Sequence, residues 1–191
     1  MSTFEGKVIV FTAPSGAGKT TIVRHLLKVN ADLGFSVSAT TRSRRAQEVD
    51  GKDYYFLTEQ EFLTRKQAGE FLEWEEVYDG LFYGTLKSEV DRLWSEQKHI
   101  VFDVDVKGAL RIKSHFSDRC MAVFVQPPSL KTLIDRLKAR GSEDTRSLQK
   151  RISRIKHELT FGGNFDAMII NDVLEVTLKE AELMVEDFLV S

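Results

Sequence analysis

The residues best suited to chemistry begin with Gly16, Ala17, Gly18, Lys19, Thr20 and Thr21, which follow the apolar run Val8-Ile9-Val10-Phe11 and the connection Thr12-Ala13-Pro14-Ser15. A buried strand, a glycine-containing turn and a helix start, in that order, form the context of a phosphate-binding loop. Gly16 and Gly18 let backbone N–H groups converge on an anion, the helix start adds partial positive charge, and Lys19 brings a mobile full charge. Residues Ser15 to Thr21 are therefore expected to cradle the phosphates of a nucleoside triphosphate, with the Thr20 hydroxyl placed to coordinate Mg²⁺. Ala13 stands where the strict pattern has its first glycine. That departure matters little if the backbone there has negative φ.

A second anion site is expected after the first helix. Alternation along Phe35-Ser36-Val37-Ser38-Ala39-Thr40-Thr41-Arg42 puts Ser38, Thr40 and Arg42 on one face, with Arg45 and the acid Glu48 shortly beyond. A polar face with two nearby arginines can hold another phosphate. Asp103 and Asp105, two apart after Ile100-Val101-Phe102, point to one side at the carboxyl edge of a strand, where open parallel sheets bind ligands.

The elements that must position these groups are legible in the apolar runs. Val8 to Phe11, Ile100 to Phe102, Met121 to Val125 and Ala167 to Ile170 are nearly continuous and suit strands buried on both faces. Helical patterns occur at Ile22, Val23, Leu26 and Leu27, at Leu130, Leu133, Ile134 and Leu137, and at Leu178, Ala181, Leu183, Val185 and Phe188. Strands alternating with helices predict an α/β fold with a parallel sheet. Residues 35–97 read as an inserted mixed-strand lobe with turns at Asp50-Gly51 and Asp79-Gly80. The core is then expected at 1–34, 98–130 and 160–191, with a helical lid at about 131–159. The lid span is basic, with nine Lys/Arg against four Asp/Glu, and could hold an anionic ligand or simply present a solvated face.

Composition narrows the classes. The 191 residues carry 27 Lys+Arg and 29 Asp+Glu, a net charge of −2, so no global field draws the chain to a nucleic-acid polymer or an anionic membrane. The single Cys120 excludes an internal disulfide and a multi-cysteine zinc site. No run approaches the roughly 18 apolar residues of a membrane span, so a cytoplasmic, reduced setting is the expectation. Cys120 and His25, His99, His115 and His157 have no motif role and are expected in packing or ordinary polar contacts.

The segment Ser38-Ala39-Thr40-Thr41-Arg42 is followed by Arg45, Glu48, Asp50-Gly51-Lys52-Asp53-Tyr54, Phe71-Leu72-Glu73-Trp74, Tyr83-Gly84-Thr85 and Asp103-Val104-Asp105-Val106-Lys107-Gly108. Pro127-Pro128-Ser129, Arg140-Gly141, Lys150-Arg151 and Asn171-Asp172 continue the series. In this order, over essentially the whole chain, the sequence resembles guanylate kinases. The resemblance implies a P-loop fold that transfers a phosphoryl group from MgATP to GMP. It implies that Arg42, Arg45, Tyr54 and Tyr83 hold the GMP phosphate, with Glu48 in the same site, and that Glu73, Ser38 and Thr85 contact guanine. Guanine presents N1–H and its N2 amine side by side, which one ionised carboxylate can accept together, whereas adenine offers an unprotonated N1. By resemblance Asp103 lies near the Mg²⁺ and phosphates and Asp105 near the acceptor, without the sequence separating the two roles, and Asn171 is an adenine-side contact. Lys19, Arg42, Arg140 and Arg151 are the expected catalytic cations, the last two flanking a polar loop able to close as a lid. Arg44, Ala46 and Gln47 depart from the family's usual residues around the second arginine, and one extra residue near Asp79 is expected in the turn. Two other readings stay open: a P-loop kinase for another phosphorylated acceptor, distinguished by no guanine preference, and a peptide-binding module of the same fold, distinguished by no MgATP binding. Oligomeric state is left open.

Overall fold

The structure, a computed structural model, describes residues 4, 6–139 and 145–191, with the side chains of 137–139 and 145–151 outside the description. Its central sheet is built from β2 (Leu33–Phe35), β7 (His99–Asp103), β1 (Val8–Thr12), β8 (Cys120–Gln126) and β9 (Ala167–Ile170), in that spatial order. Every pairing in it is parallel. The continuous apolar runs are explained by burial on both faces. Ile9 and Phe11 of β1 pack with α1 (Lys19–Val29) and α7 (Leu174–Val190), while Val8 and Val10 face α3 (Lys87–Ser95) and α4 (Val106–Phe116). Successive side chains on one strand thus feed two separate cores.

The second sheet has the order β4 (Tyr55–Phe56), β3 (Ala39–Thr40), β6 (Leu81–Leu86), β5 (Phe71–Tyr78). It is mixed: β3 pairs parallel with β4 and antiparallel with β6. Helix α2 (Glu59–Gln67) covers it, started by a Thr58/Glu61 capping box. Phe62 is fully buried there, stacked on Phe71 at 4.3 Å and Phe82 at 5.2 Å between ring centroids. Helices α5 (Leu130–Ala139) and α6 (Thr145–Leu159) occupy the expected lid span, and Leu133 and Ile155 pack into the β1 core.

Three expectations differ from what is found. The alternating stretch 35–42 is not one strand, because Phe35 ends β2 in the central sheet and Ala39 begins β3 in the lobe. Alternation reports alternating environments, and here two sheets supply them. Residues 87–95, expected as part of the mixed-strand lobe, form α3, which packs Val90 and Leu93 against the central sheet. The chain therefore returns to the core near Leu86, earlier than residue 97. Finally, the β5–β6 turn is the two-residue Asp79-Gly80, with Tyr78 opposite Leu81, and of two irregularities in the pairing the one nearer the turn lies between Glu76 and Tyr78. Such a shift re-aims side chains, and Val77 and Tyr78 both line the cleft described below.

Truncating Phe62 tests whether the stacked rings close the lobe's core. Phe62→Ala is expected to cost about 3–5 kcal/mol in urea unfolding. A loss under about 1 kcal/mol would show that this cluster does not hold the lobe.

Candidate active site

The phosphate loop takes its shape from two left-handed glycines, Gly16 at φ 92° and Gly18 at φ 97°. Gly18 is the N-cap of α1, so the orphan N–H groups of the first turn face the loop. Ala13 is not among the residues with positive φ, which is why alanine is accommodated there. A side chain on Gly18 would collide with Asn171 Nδ2. Asn171 is buried, and its Nδ2 donates to the Ala17 carbonyl at 2.7 Å.

Parallel pairing sets Phe11 opposite Asp103, bringing the carboxyl end of β7 beside the loop. Lys19 Nζ lies 2.5 Å from Asp103 Oδ1 and donates to the Val104 carbonyl at 2.9 Å. Thr20 Oγ1 donates to Asp103 Oδ2 at 3.4 Å. A hydroxyl beside a carboxylate is a hard-oxygen donor set that suits Mg²⁺, which takes few protein ligands and completes its shell with phosphates and water. Among the described residues no cluster of three or more His, Cys, Asp or Glu forms a separate metal cage.

Geometry separates the two aspartates. Asp105 is the N-cap of α4, accepting from Gly108 N at 2.8 Å through Oδ1, and its Oδ2 lies 3.5 Å from an Arg154 nitrogen. Asp103 therefore lies against the phosphate loop, and Asp105 lies toward α4 and α6.

That end holds Glu73. Its partner across the hairpin is Thr85, whose Oγ1 donates to Glu73 Oε1 at 2.7 Å. Glu73 is only 7% exposed. Burial pushes its carboxyl up to about 7, helped by the Asp105 charge and opposed by the Thr85 hydrogen bond. A Cβ on Gly108 would stand 2.9 Å from Glu73 Oε2, so the absence of a side chain there makes room for the carboxylate.

One cleft of about 460 Å³ joins these regions, lined by Ala13 to Thr21, Ser38, Tyr54, Glu73, Tyr83, Asp103 and Asp105 among others. The remaining expected residues lie behind or beside its walls. Arg42 is turned onto Glu48 in a two-point ion pair of 2.7 and 3.0 Å, and the guanidinium holds the Glu48 carboxyl down at about 2. Glu48 also accepts from Arg45 N at 2.8 Å, closing the turn whose sequence departs from the family. Arg45 itself projects outward, its side chain 76% exposed. Thr85 reaches the cleft through Glu73, and Asn171 braces the phosphate loop from behind instead of lining the cavity. Arg140, the loop 141–144 and the Arg151 side chain lie outside the described residues.

The sequence reading missed several lining residues, notably Glu75, Tyr78, Arg154 and Glu158. Glu75 is fixed by Lys107 at 2.6 Å and Arg111 at 2.9 Å from α4. Arg154 pairs with Glu158 at 2.7 Å, one helical turn on. The i,i+4 spacing was a readable signal for that pair, but nothing in it says that α6 meets Asp105.

Comparison with known proteins agrees with this geometry. Residues 5–188 match the guanylate kinase family. A guanylate kinase of Salinibacter ruber is 48% identical over 184 residues, covering 96% of this chain and 97% of the relative. One from Bacteroides thetaiotaomicron is 44% identical over 184 residues, covering 96% and 90%. The crystal structure of a guanylate kinase from Anaplasma phagocytophilum superposes with a TM-score of 0.80 at 27% identity, covering 100% of this chain and 90% of that one. The chain belongs to the guanylate kinase family of nucleoside monophosphate kinases.

Proposed function

We propose that this cleft transfers the terminal phosphoryl group of ATP to GMP, giving ADP and GDP, with Mg²⁺ bound alongside ATP. The observation that carries the choice of acceptor is the buried Glu73 carboxyl in the same cleft as the phosphate loop. A carboxylate there accepts two adjacent donors from guanine. It would face a lone pair on adenine, so rejection of AMP on the order of 10⁴ is within reach of such polar readout.

The reaction needs no general base on the protein, since the second pKa of the attacking phosphate is about 6. The difficulty is holding two polyanions in line. Loop N–H groups and Lys19 bind the donor phosphates, and Lys19, now paired with Asp103, moves to whichever anion is nearer. Thr20 and Asp103 are the residues that would hold Mg²⁺, whose chemistry is to neutralise charge on the phosphate oxygens. Tyr54 and Tyr83, in edge contact at 6.0 Å, bind the GMP phosphate with Arg42 and Arg45. Arg42 leaves Glu48 in part to do so. Arg140 and Arg151 supply further cations from the lid, whose closure keeps water from the donor. A cytoplasmic setting belongs to the same reading; no described helix is long and apolar enough to cross a membrane, and the one cysteine, Cys120, is buried.

The direct test presents the protein with MgATP and GMP, AMP, CMP or UMP in turn and follows the diphosphate product. GDP alone is expected, and Lys19→Ala should lower kcat on the order of 10²–10³. Comparable turnover of AMP would point to another acceptor, and no MgATP binding would point to a non-catalytic module.

Glu73 gives a pH signature. Its raised value means the folded protein holds a proton the unfolded chain releases, so the destabilisation grows from pH 4.5 to about 7 and is constant above. Without GMP, Glu73→Gln should therefore be more stable than wild type by about 2–3 kcal/mol at pH 8. The gap should close toward pH 4.5 in thermal or urea unfolding, while GMP turnover by the variant falls sharply. A variant no more stable than wild type at pH 8 would mean that the carboxylate is not desolvated.

A further inference from the structure

We infer that Glu89, with Arg92, is a positioning residue for the acceptor site, clamping the two chain crossings between the central sheet and the lobe into one fixed geometry. The inference rests on the GMP reading above, because it concerns where that acceptor's base is held. Glu89 belongs to no motif, does not line the cleft, and has no part in the phosphoryl transfer.

It is nevertheless among the most deeply buried charged side chains, 2% exposed in the first turn of α3. A carboxylate in that position is tolerated only when its oxygens are satisfied, and each is bonded more than once. Oε2 accepts from Val37 N at 2.8 Å and from Arg92 at 2.9 Å. Oε1 accepts from the Tyr55 hydroxyl at 2.8 Å and from Arg92 Nε at 3.0 Å. Arg92 also donates to the Phe35 carbonyl at 3.3 Å. Although burial works against ionisation, these donors hold the Glu89 carboxyl below its ordinary value.

The partners come from distinct parts of the chain. Phe35 is the last residue of β2 in the central sheet, and Val37 lies in the outbound crossing, one residue before Ser38. Tyr55 belongs to β4 of the lobe. Glu89 itself stands just after the return crossing at Leu86, one residue beyond Thr85, which bonds Glu73. Ser38 on one crossing and the Thr85–Glu73 pair before the other are the expected guanine contacts. The β3–β6 ladder sets these two contacts side by side, and the Glu89 carboxylate ties both crossings to the end of β2 from behind. Charge-assisted bonds at fixed geometry are suited to that task.

A clamp of this kind acts on acceptor binding and leaves the donor site alone. Glu89→Gln keeps the size of the side chain but loses the ion pair with Arg92, and Tyr55→Phe removes one bond at the rim without leaving a buried charge unpaired. KM for GMP, kcat at saturating GMP, and Kd for MgATP by calorimetry should be measured for wild type and both variants. The account expects KM for GMP to rise about tenfold in Glu89→Gln and about threefold in Tyr55→Phe. Kd for MgATP and kcat should stay within about twofold, a split that general loss of structure does not produce. Should Glu89→Gln fail to fold, the Tyr55→Phe measurement decides alone. Parallel losses in GMP and MgATP binding, or an unchanged KM for GMP, would overturn the clamp. A wild-type protein that does not phosphorylate GMP would overturn the acceptor reading and the clamp with it, whereas GMP turnover with unaltered variants overturns only the clamp.

Discussion

Burying an ionisable carboxyl where a ligand must meet it constrains everything around it. Glu73 has a single hydrogen-bond partner among the described residues, Thr85, and is otherwise enclosed. Water no longer solvates its charge, so ionisation is shifted to higher pH, and donors brought by a ligand would shift it back. The hairpin β5–β6 exists in this register to put Thr85 opposite it. Gly108 leaves space on its other side, and Asp105, by capping α4, fixes the helix turn that Gly108 occupies. In the proposed reading the cost of the charged form is offset by guanine's two adjacent donors, a pair that adenine, with N1 unprotonated, does not present.

The second constraint is electrostatic neutralisation at the carboxyl edge of the central sheet. Strands β1 and β7 end together, so the phosphate loop, Lys19 and Asp103 share one small volume without any long loop having to be ordered. Two of the cations are paired with internal acids, Lys19 with Asp103 and Arg42 with Glu48. These pairs hold two long cationic side chains in fixed positions. Asn171 performs the corresponding service for the backbone, tying Ala17 against the last core strand and excluding any side chain from Gly18.

Most of the core was legible because central parallel strands are apolar on both faces and the phosphate loop has both a pattern and a required context. The runs beginning at Val8, Ile100, Met121 and Ala167 correspond to strands within a residue or two. The lobe was less legible where environment, not pattern, decided the outcome. Ser36 and Val37 alternate like strand residues but cross between two sheets, and α3 looks like part of the lobe until its apolar face is seen to join the core. The site residues that sequence could not supply, such as Arg154 and Tyr78, depend on which elements meet. Asn171 adds a role that its position in the pattern does not announce. Its position was found, but its side chain braces the phosphate loop, a role visible only once Ala17 is seen beside it.

The claim on which this account turns is that Glu73 changes ionisation when the acceptor binds. Carbon-13 NMR of protein labelled at glutamate carboxyls, titrated with and without GMP and assigned by the Glu73→Gln variant, measures this directly. The account predicts a free-protein value near 7 that drops to about 5 or below with GMP bound, because two guanine donors stabilise the charged form. A carboxyl that titrates in the ordinary range without ligand, or one that stays near 7 with GMP bound, would contradict it.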